Sequence, residues 1–348
     1  MSDDSLARYA KQMLFREIGR DGQVALSHAR VLLVGCGALG SVIAELLVRA
    51  GVGMLRIADR DFVDLTNLQR QVLFNEDDVR DHLPKVIAAV QKLSRINHHV
   101  QLETHVVDVQ ASNILELAHG VDLIMDGTDN FETRFLINDV SLELHIPWVH
   151  GGCLAANGQV MSIIPHQSAC YRCLTPDLPD ASAMPTCDTA GVIGPAVNVV
   201  ASMQVTQALK ILTQPRDQWP MSKLLVLDLW NFEFRQLDLS SLYARKSCPA
   251  CHGGERAWLS GQKGSHTTIL CGRNAIQISP STASKRDLKL LAEKLTGLGE
   301  ILLSPYLLKF TPRDEAYILT IFSDSRAIIQ GTEDAAQAKT IYARYVGQ

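Results

Sequence analysis

Short apolar runs alternate with amphipathic stretches along the first half of the chain. Arg30-Val-Leu-Leu-Val34 reads as a buried strand, Ser41 to Ala50 as a helix and Met54–Ala58 as a second strand. Such a βαβ unit implies a parallel sheet covered by helices. Lys85–Ile96 has helical spacing, Val100–Val107 and Leu123–Asp126 read as further strands, and Pro147–Gly151 fits a short strand leaving the sheet. Residues 5–28 form an amphipathic helical lead-in. From Leu154 to Ile164 the period falls to two around Asn157-Gly158, a hairpin signal. A proline-rich crossover follows at 175–190, then a helix over Pro195–Leu212 and closing strands at Lys223–Asp228 and Phe232–Leu237.

A Gly- and Ser-rich polar stretch near 253–265 marks a boundary. Beyond it the pattern predicts a strand over Thr267–Ile278 and a helix over Lys285–Leu295. Strands follow over Ile301–Phe310 and Tyr317–Phe322, and a helix over Glu333–Tyr345. This describes a compact α+β unit of ferredoxin-like character. The expected division is therefore residues 1–255 and residues 266–348. The predicted class is α/β: a Rossmann-like, doubly wound, mainly parallel sheet with a small C-terminal α+β domain.

Composition narrows the partners. The chain is 47% hydrophobic and 20% charged, with a formal net charge of −4 and no long basic run, which speaks against nucleic acid. The N-terminal residues lack an apolar signal segment, and the apolar runs are too short to span a bilayer. A soluble, cytoplasmic protein with no membrane partner is expected.

Candidate chemistry begins at Gly35-Cys-Gly37-Ala-Leu-Gly40, between a predicted strand and a predicted helix. The glycines allow a tight turn and close approach of a phosphate to the helix N-terminus. Asp59 ends the next strand, where a carboxylate can hold ribose hydroxyls. Taken alone, these residues suit an NAD(P)-dependent oxidoreductase. Asn67, Arg70 and Lys85 follow closely; hydride transfer has no use for such a cluster, whereas displacement at phosphorus does. Asp129, in Thr128-Asp129-Asn130, follows the strand Leu123–Asp126. It suits a magnesium-bound phosphate, and it equally suits the N-cap of the next helix.

Taken in order, the glycine loop, Asp59, Asn67-Leu-Gln-Arg70-Gln71, Lys85 and Thr128-Asp129-Asn130 resemble the ThiF/MoeB/HesA family. This is the prokaryotic branch of the ubiquitin-activating-enzyme superfamily, and the likeness spans residues 5 to about 252. The resemblance implies an ATP- and Mg²⁺-dependent adenylyltransferase acting on the Gly-Gly C-terminus of a ubiquitin-like sulfur carrier, ThiS- or MoaD-like. The product would serve thiamine, molybdopterin or related sulfur transfer, with a cysteine desulfurase or rhodanese as sulfur donor. It implies Asp59 on ribose, Asn67, Arg70 and Lys85 on phosphates, Asp129 on the metal, and Arg134 near the site. It also implies a homodimer in which an N-terminal arginine reaches the neighbouring subunit's phosphates. Here that position is Lys11, which keeps the charge without the bidentate fork.

Of eight cysteines, four fall as Cys170-x-x-Cys173 and Cys248-x-x-Cys251. With no export signal, two such pairs suit a closed, tetrahedral structural zinc. Cys248-Pro-Ala-Cys251-His252 also matches a haem attachment pattern, but that chemistry belongs to exported proteins. Relatives carry the same two pairs. Cys187 stands alone in the crossover; at this place some relatives use a cysteine that links to the carrier, and in others it is dispensable. Cys36, Cys153 and Cys271 read as small core residues. The tail does not resemble a rhodanese domain.

Overall fold

The computed structural model describes residues 6–178, 190–263, 267–270, 275–278, 286–313 and 315–347. The chain divides into two compact units, Met1–Lys263 and Gly264–Gln348. The first holds an eight-stranded sheet of order β3-β2-β1-β4-β5-β6-β7-β8. Its strands are β1 Arg30–Val34, β2 Met54–Ala58, β3 Gln101–His105, β4 Leu123–Asp126, β5 Trp148–Leu154, β6 Asn157–Ile163, β7 Lys223–Asp228 and β8 Glu233–Asp238. The first five run parallel, and β6 to β8 continue antiparallel.

The apolar run of β1 is explained by burial on both faces, as parallel strands require. Val31 and Leu33 join one core with Ile43 and Leu47 of α1 (Ala38–Ala50), Ala88 and Leu93 of α2 (Lys85–Ile96), and Val197 and Val200 further along the chain. Leu32 and Val34 join the opposite core with Phe135 and Ile137 of α3 (Phe131–Leu144). The sheet is thus doubly wound, as predicted. The last two core residues of the first set lie on α4 (Gly194–Thr213), which covers the β5–β6 hairpin. Among the described residues no helix is long and apolar enough to cross a membrane.

The hairpin turns one step earlier than expected. Leu154 pairs with Asn157, so the turn is Ala155-Ala156 and Asn157-Gly158 opens β6. Ala155 takes a positive φ of 53°. It is held there from outside the hairpin: its N–H donates to the Gly191 carbonyl, and its own carbonyl accepts from Ile193. A tertiary strap has overridden the local turn preference. The lead-in is also broken, into short helical pieces at Ala7–Tyr9 and Ala10–Met13 and a helix at Gly19–His28.

The second unit is a six-stranded antiparallel sheet, not a ferredoxin-like one. The predicted long strand over 267–278 is the pair β9 Thr267–Leu270 and β10 Ala275–Ile278. That over 301–310 is the pair β11 Gly299–Leu303 and β12 Leu307–Pro312. With β13 Ile318–Phe322 and β14 Ala327–Gln330, the order is β11-β12-β13-β14-β10-β9. Two helices, α5 Leu288–Leu295 and α6 Ala335–Tyr345, pack their apolar positions on alternate strand residues such as Ile276, Phe310, Leu319 and Ile329.

Candidate active site and metal centre

Neighbouring strands lie on either side of the β1/β4 pair in opposite chain order, which makes this the topological switch point where open α/β sheets leave a crevice. Two turns meet there. The Gly35 N–H donates to the Ala58 carbonyl at 2.8 Å, and the Gly127 N–H to the Val34 carbonyl at 2.8 Å. Gly35 has φ +89°, and a Cβ on it would stand 2.7 Å from the Gly127 oxygen. A Cβ on Gly40 would strike the Gly35 carbonyl, whereas Gly37 meets nothing nearer than the Gln71 amide at 3.8 Å. Two of the three predicted glycines thus serve close backbone packing, and Gly37 leaves the loop open. Gly37 is also the N-cap of α1, and no side chain caps that helix. Its first N–H groups and the positive end of its dipole face the crevice.

Asp59 closes the loop from the β2 side. One carboxylate oxygen accepts from the Cys36 N–H at 2.6 Å, the other from the Asp61 N–H at 2.6 Å. Burial pushes the Asp59 carboxyl above its usual range, against the opposing pull of Lys85. Lys85 opens α2 and is 4% exposed. Its Nζ lies 3.0 Å from Asp61, and its backbone N–H donates to the Asp61 carbonyl at 2.9 Å. Burial alone would lower its pKa, but Asp61, Asp59 and Asp129 outweigh that and raise it, so Lys85 is a buried, fully charged ammonium. Asn67 is buried, accepts from Arg70 Nη2 at 3.0 Å, and leaves its amide Nδ2 without a partner. Arg70 also donates to the Thr66 carbonyl at 3.1 Å, so it lies folded on its own turn.

At the end of β4 the cap of α3 is Asn130, whose side chain accepts from the Thr133 N–H at 2.9 Å. Asp129 is therefore relieved of capping and stands exposed. Arg134 is 8% exposed and turned inward. It donates to Asp126 at 3.3 Å and to the Thr128 and Gly151 carbonyls at 2.7 and 3.3 Å. Sequence reasoning missed Asp126 and His150, which lie 2.7 Å apart and are both fully buried. Desolvation would raise the Asp126 pKa, but Arg134 and His150 overcome it and hold the carboxyl below its usual range. Burial lowers that of His150. The available signal was a histidine inside the otherwise apolar run Trp148-Val-His150.

Lys11 is exposed. Its neighbour Gln12 donates to the Ala50 carbonyl at 3.0 Å, and Ala50 is the last residue of α1. A helix of 13 residues is about 20 Å long, so Lys11 sits at the far end of α1 from its own glycine loop. Cys187 and Cys271 lie outside the described residues.

The sulfurs of Cys170, Cys173, Cys248 and Cys251 all lie within 4.8 Å of one another. Three of the separations are 3.8, 3.7 and 3.6 Å. A tetrahedral zinc with Zn–S near 2.3 Å requires edges of about 3.8 Å, so the donor set fits the ion. His252 Nδ1 lies 3.2 Å from Cys251 Sγ, a contact of the kind that orients metal ligands. Around the cluster, the Tyr171 N–H donates to Asn138 at 2.8 Å and the Trp258 N–H to Asp139 at 2.9 Å. Backbone hydrogen bonds thus tie α3 to the two segments that carry or follow the cysteine pairs.

Comparison with known proteins adds three findings. The sulfur carrier protein ThiS adenylyltransferase of Bacillus subtilis (strain 168) is 43% identical over 341 residues, covering 98% of this chain and 99% of that protein. The sulfur carrier protein adenylyltransferase of Thermus thermophilus is 36% identical over 255 residues, covering 71% of this chain and 91% of that one. Among solved structures, E. coli MccB in complex with MccA-N7isoASN superposes with a TM-score of 0.63 at 19% identity, over 72% of this chain and 75% of its own; that likeness speaks for the fold. The dehydrogenase alternative is set aside. The sequence profile of the ThiF family matches residues 9–250. Because the match takes in both switch-point turns and three of the four clustered cysteines, the chain belongs to the ThiF family.

Proposed function

We propose that this chain is a nucleotidyltransferase that adenylylates the C-terminal carboxylate of a ubiquitin-like sulfur carrier ending in Gly-Gly. The observation that carries the proposal is the pairing of an uncapped helix start with the buried cation Lys85 and the exposed carboxylate Asp129 around one crevice. It does so in a chain similar from end to end to a ThiS adenylyltransferase. That similarity favours a ThiS-type carrier, and so the thiamine branch, over a MoaD-type carrier.

In this reading ATP lies over the Gly35–Gly40 loop, with its phosphates at the N-terminus of α1. Asp59 keeps its inner lone pairs on the loop N–H groups and turns its remaining acceptor capacity to the ribose. Lys85 neutralises charge moving onto pyrophosphate, and the unpartnered Asn67 amide donates to a phosphate oxygen. Arg70 swings from its own turn to join them. A carrier carboxylate oxygen bonds to the α-phosphorus as the bond to the pyrophosphate oxygen breaks. The nucleophile is already an anion, so no general base is needed and catalysis is positioning plus electrostatics. Asp129 would hold Mg²⁺, which would supply positive charge against that of the phosphates. Zinc, held by the four cysteines, would be structural.

The finer partners follow from the same reading. Lys11 cannot serve its own loop, so its charge acts on the phosphates of a second copy in a homodimer. A cysteine desulfurase or rhodanese supplies sulfur to the acyl adenylate, and Cys187 is the candidate thiol for a link to the carrier. The test is ATP–pyrophosphate exchange. It should require a Gly-Gly carrier and vanish when those two residues are deleted; exchange that ignores the carrier, or none with ThiS- and MoaD-type carriers alike, would refute the proposal.

A further inference from the structure

The Asp126 carboxylate receives four hydrogen bonds from three residues. One oxygen accepts from the Thr128 N–H at 2.9 Å and its hydroxyl at 2.6 Å. The other accepts from Arg134 Nε at 3.3 Å and faces His150 Nδ1 at 2.7 Å. The second ring nitrogen of His150 faces the Gln159 amide nitrogen at 3.1 Å. An amide nitrogen only donates, so the network assigns the ring proton to Nδ1, directed at Asp126. With four donors on it, Asp126 has no capacity left for a ligand.

Thr128 is thereby gripped from both sides. Its N–H goes to Asp126, and its carbonyl accepts from Arg134 Nη2 at 2.7 Å. The same guanidinium reaches the Gly151 carbonyl of β5 at 3.3 Å. Asp129 follows directly, between this grip and the Asn130 cap. Its backbone is fixed on both flanks while its carboxylate stays exposed. Gly127, inside the grip, backs onto the phosphate loop: a Cβ there would stand 3.0 Å from Gly40 Cα.

We propose that Asp126, Arg134 and His150 form a buried positioning unit that sets the Asp129 carboxylate and the glycine loop in register, and that Arg134 acts through this unit and not on the nucleotide. The proposal rests on the adenylylation reading of the crevice. A shift of about 1 Å in such a register costs on the order of 10²-fold in rate, and loss of an outer partner of a metal ligand costs about tenfold or more in metal affinity.

The experiment measures two quantities in the full-length chain. One is Mn²⁺ affinity, by electron paramagnetic resonance, in the presence of an ATP analogue that cannot be cleaved between the α- and β-phosphorus. The other is the kcat and KM of carrier-dependent exchange. Asp126→Asn places an amide among four donors and is expected to weaken Mn²⁺ about tenfold and lower kcat about 10²-fold, with a smaller change in ATP KM. His150→Leu should do the same. His150→Asn, which keeps a donor toward Asp126, should restore most of the Mn²⁺ affinity, and Arg134→Lys should fare better than Arg134→Gln. Wild-type Mn²⁺ affinity in folded Asp126→Asn and His150→Leu would overturn the proposal. So would an Arg134→Gln variant that raises ATP KM while leaving Mn²⁺ affinity intact. If the wild type shows no carrier-dependent exchange, the functional reading fails, and the Mn²⁺ comparison still decides the positioning role.

Discussion

Lys85 and Asp129 differ sharply in their surroundings although both were selected by motif. Lys85 is buried against Asp61 and held charged by three carboxylates, so removing it leaves those carboxylates facing one another. Asp129 is exposed, and its removal leaves the fold intact. We expect Lys85→Ala and Asp129→Ala each to lower kcat for exchange by about 10²–10³-fold, the usual cost of one electrostatic stabiliser. Thermal melting should fall for Lys85→Ala and stay unchanged for Asp129→Ala. The sequence identified the polar residues after β1, β2 and β4 because strand ends are legible from apolar runs. It placed Arg134 near the site without a direction, since a helix position says only that the residue lies in the first turns of its helix. Whether its guanidinium turns outward or back to Asp126 depends on a buried acceptor at the end of the preceding strand.

At the scale of elements, burial of His150 between β4 and β5 has a pH signature. Its folded pKa lies below the ordinary 6.5, so the unfolded chain binds a proton that the folded chain refuses. Stability is then complete above about pH 6.5 and declines as pH falls, by at most about 1.4 kcal/mol per pH unit for one such group. Asp126, with a lowered pKa, contributes fully above the ordinary 3.8 and loses that contribution only as pH falls from there toward its folded value. His105 is shifted in the same direction as His150, and Asp59 in the opposite sense for stability, so the comparison must be made with a variant. Between pH 6.5 and 5, the melting temperature of the wild type should fall more steeply than that of His150→Gln. Parallel curves would show that the folded ring takes up its proton as readily as the unfolded one, and would overturn the prediction. Elements with strong periodicity, such as Lys85–Ile96, match the sequence expectation residue for residue. The tail strands do not: the expected single strands over 267–278 and 301–310 are each two antiparallel strands, and the breaks at Gly272-Arg-Asn274 and Ser304-Pro305 were the local signals passed over.

For the molecule as a whole, the four thiols and Lys11 carry the testable consequences. Purified protein should contain one zinc per chain. Removing it frees a loop whose closure is worth about 4 kcal/mol by chain entropy, a fall in melting temperature of about 10 °C; an unchanged melting curve after chelation would exclude a structural metal. If Lys11 serves a second copy, mixing inactive Lys11→Ala and Asp129→Ala chains should restore exchange toward a quarter to a half of wild type, because one hybrid site holds both intact groups. No restoration would mean that Lys11 plays no part across an interface. Cysteine spacing made the four-thiol cluster legible at once, since thiolate pairs have few other uses in such a chain. A partner subunit is suggested only by family likeness, because an exposed lysine carries no sign of what it faces.

Tyr171 lies between two of the clustered thiols, and its ring packs on that of His150 at 4.9 Å. Two rings thus join the thiol cluster to the buried Asp126–His150 pair behind the switch point, and because Cys170 also meets Cys248, a segment more than two hundred residues beyond the glycine loop is linked to it through one short chain of side chains.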